Sequence, residues 1–213
     1  MLAPVALAAM AAAASFPPGP TIVHELTPTS RYTLHMCLPP CACPTYSLNG
    51  PIAGAMRLRL VEQTPISSRY QVAAVHWRAT VQTGPIDMTG DGEYLIRYVG
   101  PAVFDQMTLD LTIQDLPWTV TGGPSSGIGE PPLALTALAM ESPVAYCRQH
   151  VFSIGTRGHY LADLNADGTI DFGDFLEFLN LYNAGDRRAD FNLDGAIDFN
   201  DLLEMLNEMN AGP

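Results

Sequence analysis

Two stretches of the chain, DLNADGTIDFGD (163–174) and DFNLDGAIDFND (190–201), set oxygen-bearing side chains at alternating positions and begin 27 residues apart. They agree at eight of their twelve positions. A hard divalent cation such as calcium takes six to eight oxygen ligands in a flexible geometry. A 12-residue loop supplies them from positions one, three, five, seven, nine and twelve. The predicted donors are Asp163, Asn165, Asp167, Thr169, Asp171 and Asp174 in the first loop. In the second they are Asp190, Asn192, Asp194, Ala196, Asp198 and Asp201. The seventh donor is a backbone carbonyl, so Thr169 and Ala196 serve equally well. Gly168 and Gly195 hold the sixth position, where the chain must turn sharply around an ion. Each loop gathers four carboxylates, and neighbouring unit charges ~4–5 Å apart cost a few kcal/mol per pair at an effective dielectric of about 20. A bound cation converts that repulsion into attraction. An all-oxygen donor set selects calcium over zinc, and two calcium ions are expected.

The elements around the loops must hold them open. FGDFLEFLNLYNAG (172–185) and FNDLLEMLNEMNAG (199–212) follow the loops in register. Phe175, Leu176, Phe178, Leu179 and Tyr182 correspond to Leu202, Leu203, Met205, Leu206 and Met209 at helical spacing. Each segment ends in Asn-Ala-Gly, a C-cap signal. Ile170 and Ile197, at the eighth positions, are apolar residues suited to pack between paired loops. Helices this short are marginal alone. Residues 160–213 also fall below the ~70–80 at which a hydrophobic core alone is dependable. Two cations would act as the staple.

Two tandem loops, each followed by one helix, with Asp at the twelfth position, resemble a dockerin domain. The preceding SIGTRGHYLA carries Gly155 and Gly158 and is not an amphipathic helix, unlike the entering helix of a full EF-hand. The resemblance covers about a quarter of the chain. It implies two bound calcium ions and attachment of a secreted protein, often a polysaccharide-degrading enzyme, to a cohesin domain on a scaffold. Cellulosomal members often carry Ser-Thr just after the ninth ligand. This chain has Phe172-Gly173 and Phe199-Asn200 there, a departure at the positions that read the partner.

The rest of the chain has a different texture. Between residues 16 and 159 the pattern has period two: AMRLRLVE, VHWRATV, EYLIRYV and MTLDLTI alternate apolar and polar residues. LTALAM (135–140) and YCRQHVFSI (146–154) are placed to close the sheet. Some seven or eight short strands are expected in an antiparallel sandwich or barrel. Asp91-Gly92 reads as a hairpin turn, and TGGPSSGIGEPP (121–132) as a loop. Asp87, Asp91 and Glu93 would then flank that turn, where Asp serves turn chemistry rather than catalysis. His24, His35, His76, His150 and His159 show no ligand spacing. Trp77 and Trp118 belong to the core. No phosphate-cradling glycine loop, nucleophile elbow or zincin motif occurs.

Residues 1–15 are apolar and end in small residues, the pattern of a signal peptide. The expected organisation is a leader at 1–15, a disulfide-bonded β domain at 16–159 and a calcium module at 160–213. Export to a secreted or cell-surface location makes Cys37, Cys41, Cys43 and Cys147 two disulfides rather than a zinc site. A bridge between Cys41 and Cys43 would be strained, so one of that pair reaches Cys147. The tail holds 12 acidic residues against Arg187 and Arg188, out of a net charge of −12. Such a surface repels phosphate backbones and excludes nucleic acid as a partner. No transmembrane span is expected. The function that follows is an exported calcium-binding protein whose tail anchors or docks a non-catalytic β domain, with a cohesin-like or other envelope protein domain as partner. The alternative is a dockerin-borne hydrolase, a glycoside hydrolase or esterase acting on polysaccharide.

Overall fold

A computed structural model describes residues 19–124, 127–128 and 134–212. The expected leader at 1–15 lies outside them. The chain is mainly antiparallel β-sheet with two C-terminal helices. The strands are β1 (Thr21–Leu26), β2 (Arg31–Met36), β3 (Tyr46–Thr64), β4 (Ser67–Val81) and β5 (Gly84–Val99). They continue as β6 (Ala102–Ile113), β7 (Leu116–Gly122), β8 (Gly127–Ile128), β9 (Ala134–Glu141) and β10 (Arg148–Tyr160). The helices are α1 (Phe172–Ala184) and α2 (Phe199–Ala211), with a short 3-10 turn at Arg187–Ala189 between them.

Strands β3 to β7 form a meander, each antiparallel to the next. Strand β7 pairs with β9 at Thr121 and Gly122, and β9 pairs with β10. Strand β10 then pairs with β2 along its first half and β1 along its second; both also pair with β3. Followed strand by strand, the pairings return to β3. Residues alternate into one core that includes Leu58, Trp77, Ile96, Leu109, Val120 and Phe152.

The strands are longer than the sequence pattern implied, and one expected turn is absent. Asp91-Gly92 lies inside β5, whose hairpin ends are instead at 82–83 and 100–101. Gly90 and Gly92 are there for close approach. A Cβ on either would come within 2.1 Å of a backbone oxygen of β6, Asp110 or Thr108. Opposite them β4 bulges between Val72 and Val75, with Ala74 at φ 49°. Asp87 and Glu93 sit along the strand rather than at a turn and pair with Arg78 and Arg69 across it. Hydrogen bonding to Arg78 holds the Asp87 carboxyl below its ordinary value.

The cysteines form Cys37–Cys43 and Cys41–Cys147. The second pair ties the β2–β3 connection to the residue before β10. Leu38 N also donates to Cys147 O at 3.0 Å.

Buried among the strands, His150 shares a 2.7 Å hydrogen bond with the Tyr32 hydroxyl and lies edge-on to Trp118. Burial, with Arg148 adding repulsion, lowers its pKa from 6.5 to about 4. The sign follows from linkage. Above pH 6.5 neither folded nor unfolded chain protonates this ring, and the full stability is present. As pH falls toward 4 the unfolded chain takes up a proton that the native state refuses, and stability drops by about 3 kcal/mol. Urea unfolding of wild type and His150→Gln across that window should show the wild type losing this amount relative to the variant. Parallel curves would mean that the ring is solvated.

Candidate metal centre

Strand β10 delivers the chain directly into the first loop: Leu161 and Ala162 are buried, and Asp163 N donates to Tyr160 O at 3.0 Å. Asp163 then folds the loop over itself. Its Oδ1 accepts from Asp167 N and its Oδ2 from Gly168 N, both at 3.1 Å. Asn165 Oδ1 accepts from Asp167 N at 2.8 Å. Asp167 accepts from Thr169, whose hydroxyl and amide, with Asn165, hold its carboxyl below the ordinary range. Asp171 caps α1 by accepting from Gly173 N at 2.6 Å. Asp174, wholly buried, closes the loop: its oxygens accept from Asn165 N at 3.1 Å and Asp171 N at 2.9 Å.

The second loop repeats this pattern. Asn192 Oδ1 accepts from Asp194 N, Asp194 Oδ1 from Ala196 N, and Asp198 caps α2 through Asn200 N. Asp201, also wholly buried, accepts from Phe191 N at 2.8 Å, Asn192 N at 3.2 Å and Asp198 N at 2.8 Å. Both loops take the left-handed conformation at positions four and six: Ala166 (φ 59°) and Gly168 (φ 88°), Leu193 (φ 63°) and Gly195 (φ 84°). A side chain disfavours that conformation, so the glycines sit where the loop bends hardest. The loops differ at their first carboxylate. In the first, both oxygens of Asp163 accept amide hydrogens. In the second, Asp190 Oδ2 accepts from Gly195 N at 3.1 Å, whereas Oδ1 is buried and has no hydrogen-bond partner.

All twelve donors predicted from the sequence therefore lie on two wrapped loops with near-identical internal bonding. The carboxylates do not crowd together. Among the described residues no group of three or more His, Cys, Asp and Glu side chains has the spacing of a metal cage. Their oxygens point instead at backbone amides. A carboxylate oxygen that accepts one amide hydrogen keeps a second lone pair.

No family model, curated protein or solved structure matches the chain.

Behind the loops lies a separate apolar cluster of Leu161, Ala162, Phe178, Leu181, Ala189, Phe191 and Met205. Ile170 and Ile197 pack against it, and so does Val23 from β1. Sequence reasoning missed the polar part of this contact. Glu208 on α2 is 2% exposed and receives Thr21 N and Thr21 Oγ1, both at 2.6 Å. Arg59 on β3 lies 3.0 Å from Glu204 and 3.6 Å from Glu208. Arg57, two residues earlier on the same face, donates to Phe191 O at 3.0 Å and Asp190 O at 3.3 Å. A signal existed in the repeat itself. Glu208 stands where the first repeat has the core residue Leu181. A carboxylate in an apolar register needs a partner from elsewhere.

Proposed function

We propose that the chain is an exported calcium-binding protein in which a dockerin-like tail, residues 160–213, anchors a non-catalytic β domain. The observation that carries this reading is the buried, partnerless Oδ1 of Asp190, the first donor of the second loop. A buried carboxylate oxygen without a partner is costly, and a cation in the loop satisfies it. In residue type the donor set suits a hard divalent ion. It is all oxygen, the closing carboxylates Asp174 and Asp201 are already oriented by amides, and the carbonyls of Thr169 and Ala196 complete the set. A bound calcium would supply charge neutralisation and nothing catalytic. The protein's own contribution is to hold the ligands in order, with two of them serving as N-caps of the helices that follow. Two disulfides support export. No helix among the described residues is long and apolar enough to cross a membrane. The return of the strand pairings to β3 supports a barrel over a sandwich, because closure removes the open edges that two stacked sheets would keep.

The docking partner of the tail within this chain is its own β domain. Phe172, Leu176, Phe199 and Leu203 stay exposed, and a cohesin-like or other envelope domain would bind there. The ligand assignment is tested by calorimetry on full-length Asp163→Ala and Asp190→Ala. Each is expected to bind one calcium where the wild type binds two. Two sites retained in either variant would contradict the assignment.

A further inference from the structure

The two loops are held to the β domain by different means. The first is attached through the chain, since only Leu161 and Ala162 separate β10 from Asp163. The second begins 27 residues later, and among the described residues of β1–β10 only Arg57 donates a side-chain hydrogen bond to its backbone. Phe191 lies at the centre of this joint. Its N–H donates to the closing carboxylate Asp201, its carbonyl accepts from Arg57, and its ring packs edge-on to Phe178 at 5.2 Å. Arg57 bonds to carbonyls and not to the Asp190 carboxylate. It orders the start of the loop, and its positive charge also acts on the Asp190, Glu208 and Asp201 carboxylates. The far end of the same unit is held by Glu208, buried against Thr21, with Arg59 bridging Glu204 and Glu208.

We propose that cation loading of the second loop and docking of α2 on the β domain are one coupled equilibrium, with Arg57 as the positioning residue that joins them. The inference rests on the calcium reading above. Docking orders the loop before the cation arrives, so binding no longer bears that conformational cost. By reciprocity, the cation strengthens docking by the same factor. The first loop has an attachment of its own, the short chain connection to β10, and meets the joint through the shared apolar cluster and the Phe178–Phe191 contact.

The test follows the two loops separately in the full-length protein. The amides of Gly168 and Gly195, each donated to the first carboxylate of its own loop, report calcium binding by NMR. Arg57→Gln and Glu208→Gln, neither a cation ligand, should each weaken the Gly195 site about tenfold, toward the lower end of ordinary coupling between sites. The Gly168 site, attached through β10, should lose less affinity than the Gly195 site. In the wild type, chelation should expose the Thr21 amide and the α2 amides to hydrogen exchange while β4–β6 stay protected. This arm decides the matter if either variant fails to fold. Wild-type affinity at Gly195 in both variants would overturn the proposal. So would an effect of Arg57→Gln alone, which would reduce the joint to a local contact, or Thr21 protection indifferent to calcium. If neither glycine amide responds to calcium in the wild type, the calcium reading fails first, and that outcome is distinct.

Discussion

Asp201→Ala is expected to unfold the second half of the tail even in saturating calcium. The side chain is wholly buried and accepts three backbone amides, from Phe191, Asn192 and Asp198. Removing it leaves those donors without an acceptor, at about 1–3 kcal/mol each. It also deletes the carboxylate that ties the two ends of the loop together and half of the capping box of α2. A module of this size holds only about 3–5 kcal/mol from its core, so the sum matches or exceeds what that core supplies. Circular dichroism should show roughly half of the helical signal gone, with the Phe191 amide open to exchange. Asp201→Asn, which keeps an acceptor oxygen but loses the charge, should fall between variant and wild type. Full helix content in Asp201→Ala would mean that the second loop is not held by its twelfth residue.

The second large effect is predicted at the opposite end of the molecule. Cys147→Ser should destabilise the β domain by about 2–5 kcal/mol under oxidising conditions. The Cys41–Cys147 bond closes a loop with a sequence separation of 106, and chain-entropy arguments assign long loops the greatest constraint on the unfolded state. Cys43→Ser breaks a bond with a separation of only six and should cost less. Thermal unfolding followed by near-ultraviolet circular dichroism separates these cases. Equal losses would show that the longer bridge does not act through the unfolded chain.

The two twelve-residue loops were legible because their information is local. Spacing, the turn glycines and the capping residues all fall within twelve positions, and the repeat states them twice. The alternation in β4 and β6 was equally plain, since Trp77, Ala79 and Val81 or Leu109, Leu111 and Ile113 need only a neighbouring sheet. Strands β1 and β10 were harder to delimit because polar residues point inward. His24 is buried and shares a hydrogen bond with Thr156, and His150 is buried against Tyr32, so polar residues interrupt the apolar face. Asp91-Gly92 misled for a different reason. The dipeptide that makes a tight turn also permits close strand approach, and only the position of β6 distinguishes them. The contact of the tail with the strands was invisible. Glu208 meets Thr21 across 187 residues of chain, and Arg57 and Arg59 look like ordinary outward residues of a strand until α2 is placed over them.

The most direct test of the account is a calcium titration of the full-length protein by calorimetry and circular dichroism, with magnesium as the control. Two calcium sites per chain and helix gained on binding are expected, while the β signal stays constant and magnesium substitutes poorly. No binding, or full helix already present in chelator, would contradict it and reduce the tail to an acidic helical pair that needs no metal.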